Sequence, residues 1–250
     1  MRRASIDLAF LAALTLLTNF LYFAYSDGDF FYPDSRTYIE PAQSMLAGQG
    51  FVRANGIIET FRTPGYPLFL MLFRNLTAVV VVQHLMNAAL AIAIYLFARR
   101  RFSRGIAIAA AVLFALDPPT IHYANKVLTE TLFTAGLFAL IWLVLRETHA
   151  PHPAFGHPLP KGEGETRTRT HPSPSGEGAA KRRVRGVPLA MIAIGLLSGA
   201  LVLIRPAAIL YFLIVAIVIG RRKQVALFVI AALLLPVAWA ARNKARTGVF

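Results

Sequence analysis

The chain has no cysteine, so disulfides and thiolate metal sites are excluded. It is also poor in charge. Only 15% of its 250 residues are Asp, Glu, Lys or Arg, against about a quarter in ordinary soluble domains. Apolar residues make up 56% and come in runs rather than in the alternating or one-faced patterns of a soluble core. A bilayer core of about 30 Å needs about 20 mainly apolar helical residues, and at least six segments approach that length. A soluble globular domain is therefore excluded. The first apolar stretch lacks a small-x-small cleavage site before Asp27, and it reads as a retained span rather than a signal peptide.

Seven spans are predicted, roughly at 6–25, 77–98, 105–117, 129–145, 187–204, 207–220 and 224–241. The formal charge of +14 is unevenly placed. With the N-terminus inside, 17 of the 26 Lys and Arg residues fall on the inner side, including the Arg99–Arg101 run and Arg221, Arg222 and Lys223. This is the positive-inside pattern, so the basic surplus reads as topology and not as a nucleic-acid surface. It predicts a cytoplasmic N-terminus and a periplasmic C-terminus, and the low-complexity loop with no organelle signal points to a bacterial inner membrane. Three regions follow: residues 1–149 with four spans and a first outer loop at 26–76, a low-complexity cytoplasmic insertion at 150–186, and residues 187–250 with three spans. The insertion, rich in Pro, Gly and Ser, carries the near-repeats HPLPKGEG and HPSPSGEG and is expected to be disordered.

The spans at 105–117 and 207–220 are short for a bilayer. Either their outer turns lie below the membrane surface, which would set Asp117, Glu130 and Arg205 on the wall of an open cavity, or the helices run on into flanking polar residues. In the first outer loop, Asp34 or Ser35 can cap an interfacial helix with apolar positions Tyr38, Ala42 and Met45, ended by Gly48 or Gly50. Arg62-Thr63-Pro64-Gly65-Tyr66-Pro67 predicts a rigid turn, followed by a short helix over 68–73. Gly195 and Gly199 suit close helix packing. The histidines show no metal-site spacing.

In this order, these strings resemble the N-terminal module of GT-C glycosyltransferases that use polyprenyl-phosphate sugars. The relevant families are the lipid A aminoarabinose transferases, protein O-mannosyltransferases and rhizobial lipopolysaccharide-core transferases. The elements are Asp34 with Tyr38 and Ala42, the Arg62–Pro67 string, Leu128-Thr129-Glu130, Leu203-Ile204-Arg205-Pro206, and Pro236 with Trp239, Arg242, Asn243 and Gly248. Family members continue past the Arg-Asn string, so the chain reads as truncated at Phe250. It also has Asp34-Ser35 where the mannosyltransferases have an Asp-Glu pair.

The resemblance implies an all-α polytopic bundle of about seven spans, with interfacial helices in the first outer loop. It implies inverting transfer of a sugar from a polyprenyl-phosphate donor to a lipid, polysaccharide or protein acceptor, in contact with membrane lipids. No metal, cofactor or nucleic acid is expected. Asp34 and Glu130 are the candidate catalytic acids, with helix capping and a helix N-terminal acid as the plain alternatives. Arg62, Arg205 and Arg242, with Tyr38 and Tyr66, are the candidate substrate contacts. For the arginines the alternative is snorkelling at the interface. A non-catalytic membrane protein, either a transporter segment or an inactive transferase remnant, is the competing function.

Overall fold

The computed structural model describes residues 2–148 and 175–248. Among them the structure is helical, with one isolated antiparallel bridge between Val52 and Ile58. The helices are α1 (Arg2–Tyr25), α2 (Ser35–Leu46), α3 (Gly65–Leu70), α4 (Leu76–Arg99), α5 (Arg104–Ala115), α6 (Pro118–Ala124), α7 (Glu130–Thr148), α8 (Ser175–Ile204), α9 (Ile209–Ile219) and α10 (Arg222–Thr247). A 3-10 turn at Pro206–Ala208 joins α8 to α9. Most of the expected insertion at 150–186 lies outside the described residues. Its last part, from Ser175, is helical backbone at the start of α8.

The helix ends follow local chemistry. Asn75 accepts a hydrogen bond from the Ala78 N–H at 2.8 Å and starts α4. Asp117 accepts from the Thr120 N–H at 2.9 Å, and Pro118 begins α6 where its missing N–H costs nothing. Gly220 ends α9 and Gly248 ends α10, both with left-handed backbone.

Every predicted span has a helix, but the helices are not seven equivalent crossings. Among the described residues, four are long and apolar enough to cross a bilayer: α1, α4, α7 and α10. The predicted span at 105–117 is α5, bent by 51° against α6, and the two together form a fifth candidate. Leu189–Ile204 and Pro206–Ile219 are shorter apolar helices.

The buried face of α5 is Ala107, Ala111 and Ala115, spaced by four residues, which lets α1 and α4 approach closely. Outward-facing side chains are large and apolar, with Leu113 of α5 at 74% exposure and Ile217 of α9 at 79%. Only 17% of the most apolar window of α10 is buried within the molecule. Apolar surface of this extent is stable only against lipid, so the chain is an all-α membrane bundle.

Gly195 and Gly199 face α10. A Cβ at Gly195 would stand 2.6 Å from the Phe228 carbonyl oxygen, and one at Gly199 would stand 2.5 Å from that of Ala232. The glycine pair therefore serves packing inside the chain, between α8 and α10. At the opposite end, buried Asp7 on α1 accepts from the Tyr95 hydroxyl at 2.7 Å and from Arg104 Nε at 2.8 Å, fastening α1, α4 and α5 together.

Candidate active site

The loop between α1 and α4 folds back over the bundle. Asp34 occupies the N-cap position of α2, but its side chain makes no capping bond. The Ser35 hydroxyl instead accepts from the Tyr32 N–H at 2.9 Å. Asp34 is thereby left free to pair with Arg62, whose guanidinium lies 2.9 Å away. Buried Tyr38 and Ala42 seat α2 on the bundle, as their spacing predicts, and glycines with positive φ at 48 and 50 follow the helix end.

The turn carrying Arg62 is pressed onto the end of α8. A Cβ on Gly65 would stand 2.5 Å from the Leu203 carbonyl oxygen, so only glycine permits this approach. Arg205 lies two residues past Leu203. The same contact therefore brings the Arg62 turn and Arg205 to one place.

The third contribution is the segment leading into α7, which is held by polar groups buried in the bundle. Gln83 on α4 accepts from the Tyr66 hydroxyl at 2.7 Å, and its amide donates to the carbonyls of Ala124 and Lys126 at 2.9 and 2.7 Å. His84 bonds Asn19 at 2.7 Å and Asn125 at 3.2 Å. Lys126 Nζ donates to the Asp29 carboxylate at 2.7 Å and to its carbonyl at 2.9 Å. The Lys126 hydrogen bond holds Asp29 below the ordinary aspartate range. This network fixes the chain at Val127–Thr129 and so places Glu130 at the first turn of α7.

These three contributions enclose a cavity of about 470 Å³, within the usual range for ligand sites. Asp34, Tyr38, Arg62, Glu130 and Arg205 all line it, as do Thr63, Thr129 and Pro206. Two acid–arginine pairs result: Asp34 with Arg62, and Glu130 with Arg205 at 3.3 Å. Arg62 also donates to the Tyr38 hydroxyl at 3.1 Å and lies over the Tyr38 ring, 4.8 Å from its centroid. Burial raises the Tyr38 pKa, against the opposing pull of Arg62. The hydroxyl therefore stays protonated and available as a donor or acceptor.

Two candidates lie outside the lining. Tyr66 is fully buried, packed edge-on against Tyr38 at 5.3 Å with its hydroxyl on Gln83. It supports the cavity wall from behind. Arg242 donates to the carbonyls of Phe51 and Glu59 at 3.4 Å and packs on Trp239, away from the cavity. Asp117 serves as the cap of α6 and is not part of the wall either. Gln83, Asn125 and Lys126 were not singled out from sequence. The available signal was Gln83-His84, a polar pair inside an apolar span.

Residues 63–154 match the family model of dolichyl-phosphate-mannose-protein mannosyltransferases. The matched stretch includes Thr63, Thr129 and Glu130 of the cavity, but not Asp34, Arg62 or Arg205. No curated protein and no solved structure matches the chain. The family match covers less than half of the chain, and it supports kinship with the GT-C membrane glycosyltransferases that the sequence resembles.

Proposed function

We propose that the protein is an inverting glycosyltransferase that moves a sugar from a polyprenyl-phosphate carrier to a lipid, polysaccharide or protein acceptor on the periplasmic side of a bacterial inner membrane. The observation that carries this reading is the pairing of Asp34 with Arg62 and of Glu130 with Arg205 around a single cavity. The family match over 63–154 agrees with it.

The reaction makes two electrostatic demands. An acceptor hydroxyl attacks the anomeric carbon, its proton passes to a carboxylate, and the bond from that carbon to the phosphate oxygen breaks. The departing lipid phosphate takes the bonding electron pair and gains negative charge. Arg62 and Arg205 stand on the cavity wall as cations for that charge, and the guanidinium fork suits two phosphate oxygens. Asp34 is the candidate base, 56% exposed at the mouth where an acceptor enters. A donor phosphate competes with Asp34 for the same guanidinium. Binding of the donor thus draws Arg62 away and frees the carboxylate for the acceptor hydroxyl. Glu130, at the helix N-terminus of α7, is placed to accept from sugar hydroxyls or to share the proton transfer.

The test is direct. Purified full-length chain in lipid nanodiscs is supplied with a panel of polyprenyl-phosphate sugars, and release of polyprenyl phosphate is followed. Release that depends on Arg62 and Arg205 supports the assignment. No release and no donor binding across the panel removes it.

A further inference from the structure

Glu59 is a buried carboxylate that the reaction above does not use. It is 2% exposed, on the outer loop just after the Val52–Ile58 bridge. A buried carboxylate is tolerated only when its oxygens are satisfied, and here the partners are specific. One oxygen accepts from the backbone N–H of Phe61 at 2.6 Å and of Arg62 at 3.1 Å. The other accepts from Arg53 Nε at 2.6 Å. The backbone behind it is braced as well. The Glu59 N–H donates to the Phe51 carbonyl at 3.1 Å, and Arg242 reaches from α10 to the carbonyls of both residues.

We infer that Glu59 is a positioning residue, which fixes the backbone of Arg62 so that its guanidinium enters the cavity already aimed. Arg62 is then held at both ends: at its amide by Glu59, and at its guanidinium by Asp34 and Tyr38. Without the carboxylate, two neighbouring N–H groups lose their acceptor, and the turn leading to Gly65 gains freedom that ligand binding must remove. Arg242 acts on the same loop from its far side, as a strut between α10 and the segment 51–59. The inference rests on the proposed role of Arg62 for its effect on transfer, but not for its effect on the loop.

Two measurements on full-length protein in nanodiscs test it. The first is hydrogen exchange of the 60–63 segment. Glu59→Ala speeds exchange at Phe61 and Arg62 by tenfold or more, on the order of the loss of one or two buried hydrogen bonds. Glu59→Gln keeps an acceptor oxygen and stays within about threefold of the parent. Unchanged exchange in Glu59→Ala overturns the inference.

The second is a double-mutant cycle on kcat/KM for a polyprenyl-phosphate sugar. Glu59→Ala lowers kcat/KM by up to about 100-fold, the scale of a slightly misplaced contact. It has no further effect in an Arg62→Ala background, because it acts through that residue. Multiplying losses would mean an independent structural role and would overturn the inference. If Glu59→Ala loses its cooperative thermal transition, the cycle is run with Glu59→Gln, whose smaller deficit must likewise vanish without Arg62. A parent protein with no transfer at all refutes the proposed function, while the exchange experiment still decides the role of Glu59.

Discussion

The Cα of Gly65 lies so close to Leu203 that an added Cβ would stand 2.5 Å from its carbonyl oxygen and 2.8 Å from the N–H nitrogen of Ile204. This backbone contact joins the α1–α4 loop to the end of α8. It explains how Arg62 and Arg205, far apart in the chain, come to line one cavity.

Gly65→Ala is therefore expected to separate the two arginines. The neighbour is backbone and cannot swing aside, so the cost is that of overpacking, about 1–3 kcal/mol. Thermal unfolding in detergent reads the stability loss. Donor binding reads the separation, and an unaffected donor affinity would show that the contact does not set the site.

The guanidinium fork matters separately from its charge. Arg205→Lys and Arg62→Lys each keep the cation and lose the planar pair of donors. Each is expected to raise the donor KM by about tenfold or more, in line with about 1.5–3 kcal/mol for a hydrogen bond to a charged group. Steady-state kinetics at varied donor concentration check this.

Loop stability should depend on pH. Burial pushes the Glu59 carboxyl up, but the Arg53 guanidinium and the N–H groups of Arg62 and Phe61 outweigh it, so the group titrates below the ordinary glutamate value of 4.5. A lowered folded-state pKa means that the contribution is fully present above about pH 5.5, starts to fall as the pH drops past the unfolded value, and is lost once it drops through the folded one. Trp239 packs against Phe51 on this loop, with ring centroids 4.9 Å apart. In a Trp142→Phe background its fluorescence should report release of the loop as the pH drops below about 4.5. Glu59→Gln should remove that transition.

The cysteine-free chain makes topology easy to test. Ala54→Cys, on the outer loop, should react with a membrane-impermeant maleimide in intact cells. Lys223→Cys, in the first turn of α10, should react only after lysis. Both positions are exposed, so access is decided by the side of the membrane. The opposite labelling pattern would reverse the orientation taken from the distribution of Lys and Arg.

Much of the fold was legible because lipid and backbone chemistry act locally. Apolar runs located the helix of each predicted span, and the spacing of Tyr38 and Ala42 located the buried face of α2. The short α6, at Pro118–Ala124, was not predicted, and α3 starts at Gly65, inside the expected turn, and not at 68. The spans at 105–117 and 207–220 were recognised as short, and the structure shows why the first is: it bends by 51° into α6 at Asp117-Pro118. The site was only partly legible. Asp34, Tyr38, Arg62, Glu130 and Arg205 converge on the cavity, but Tyr66 and Arg242, in strings of the same kind, turn away to Gln83 and to the carbonyls of Phe51 and Glu59. Those destinations depend on contacts between segments as far as 191 residues apart, and no local pattern encodes them. Glu59 was one acid among several in a polar loop. Only its burial and its bonds to the Phe61 and Arg62 amides mark it out.

In the proposed reaction Asp34 takes the acceptor proton beside a donor held by Arg62. Turnover and donor binding of Asp34→Asn, side by side with the parent chain in nanodiscs, decide whether it does. Turnover is expected to fall by about 10²–10⁴-fold with donor binding retained, since the side chain keeps its size and loses only its capacity as a base. Near-normal turnover in Asp34→Asn would contradict it.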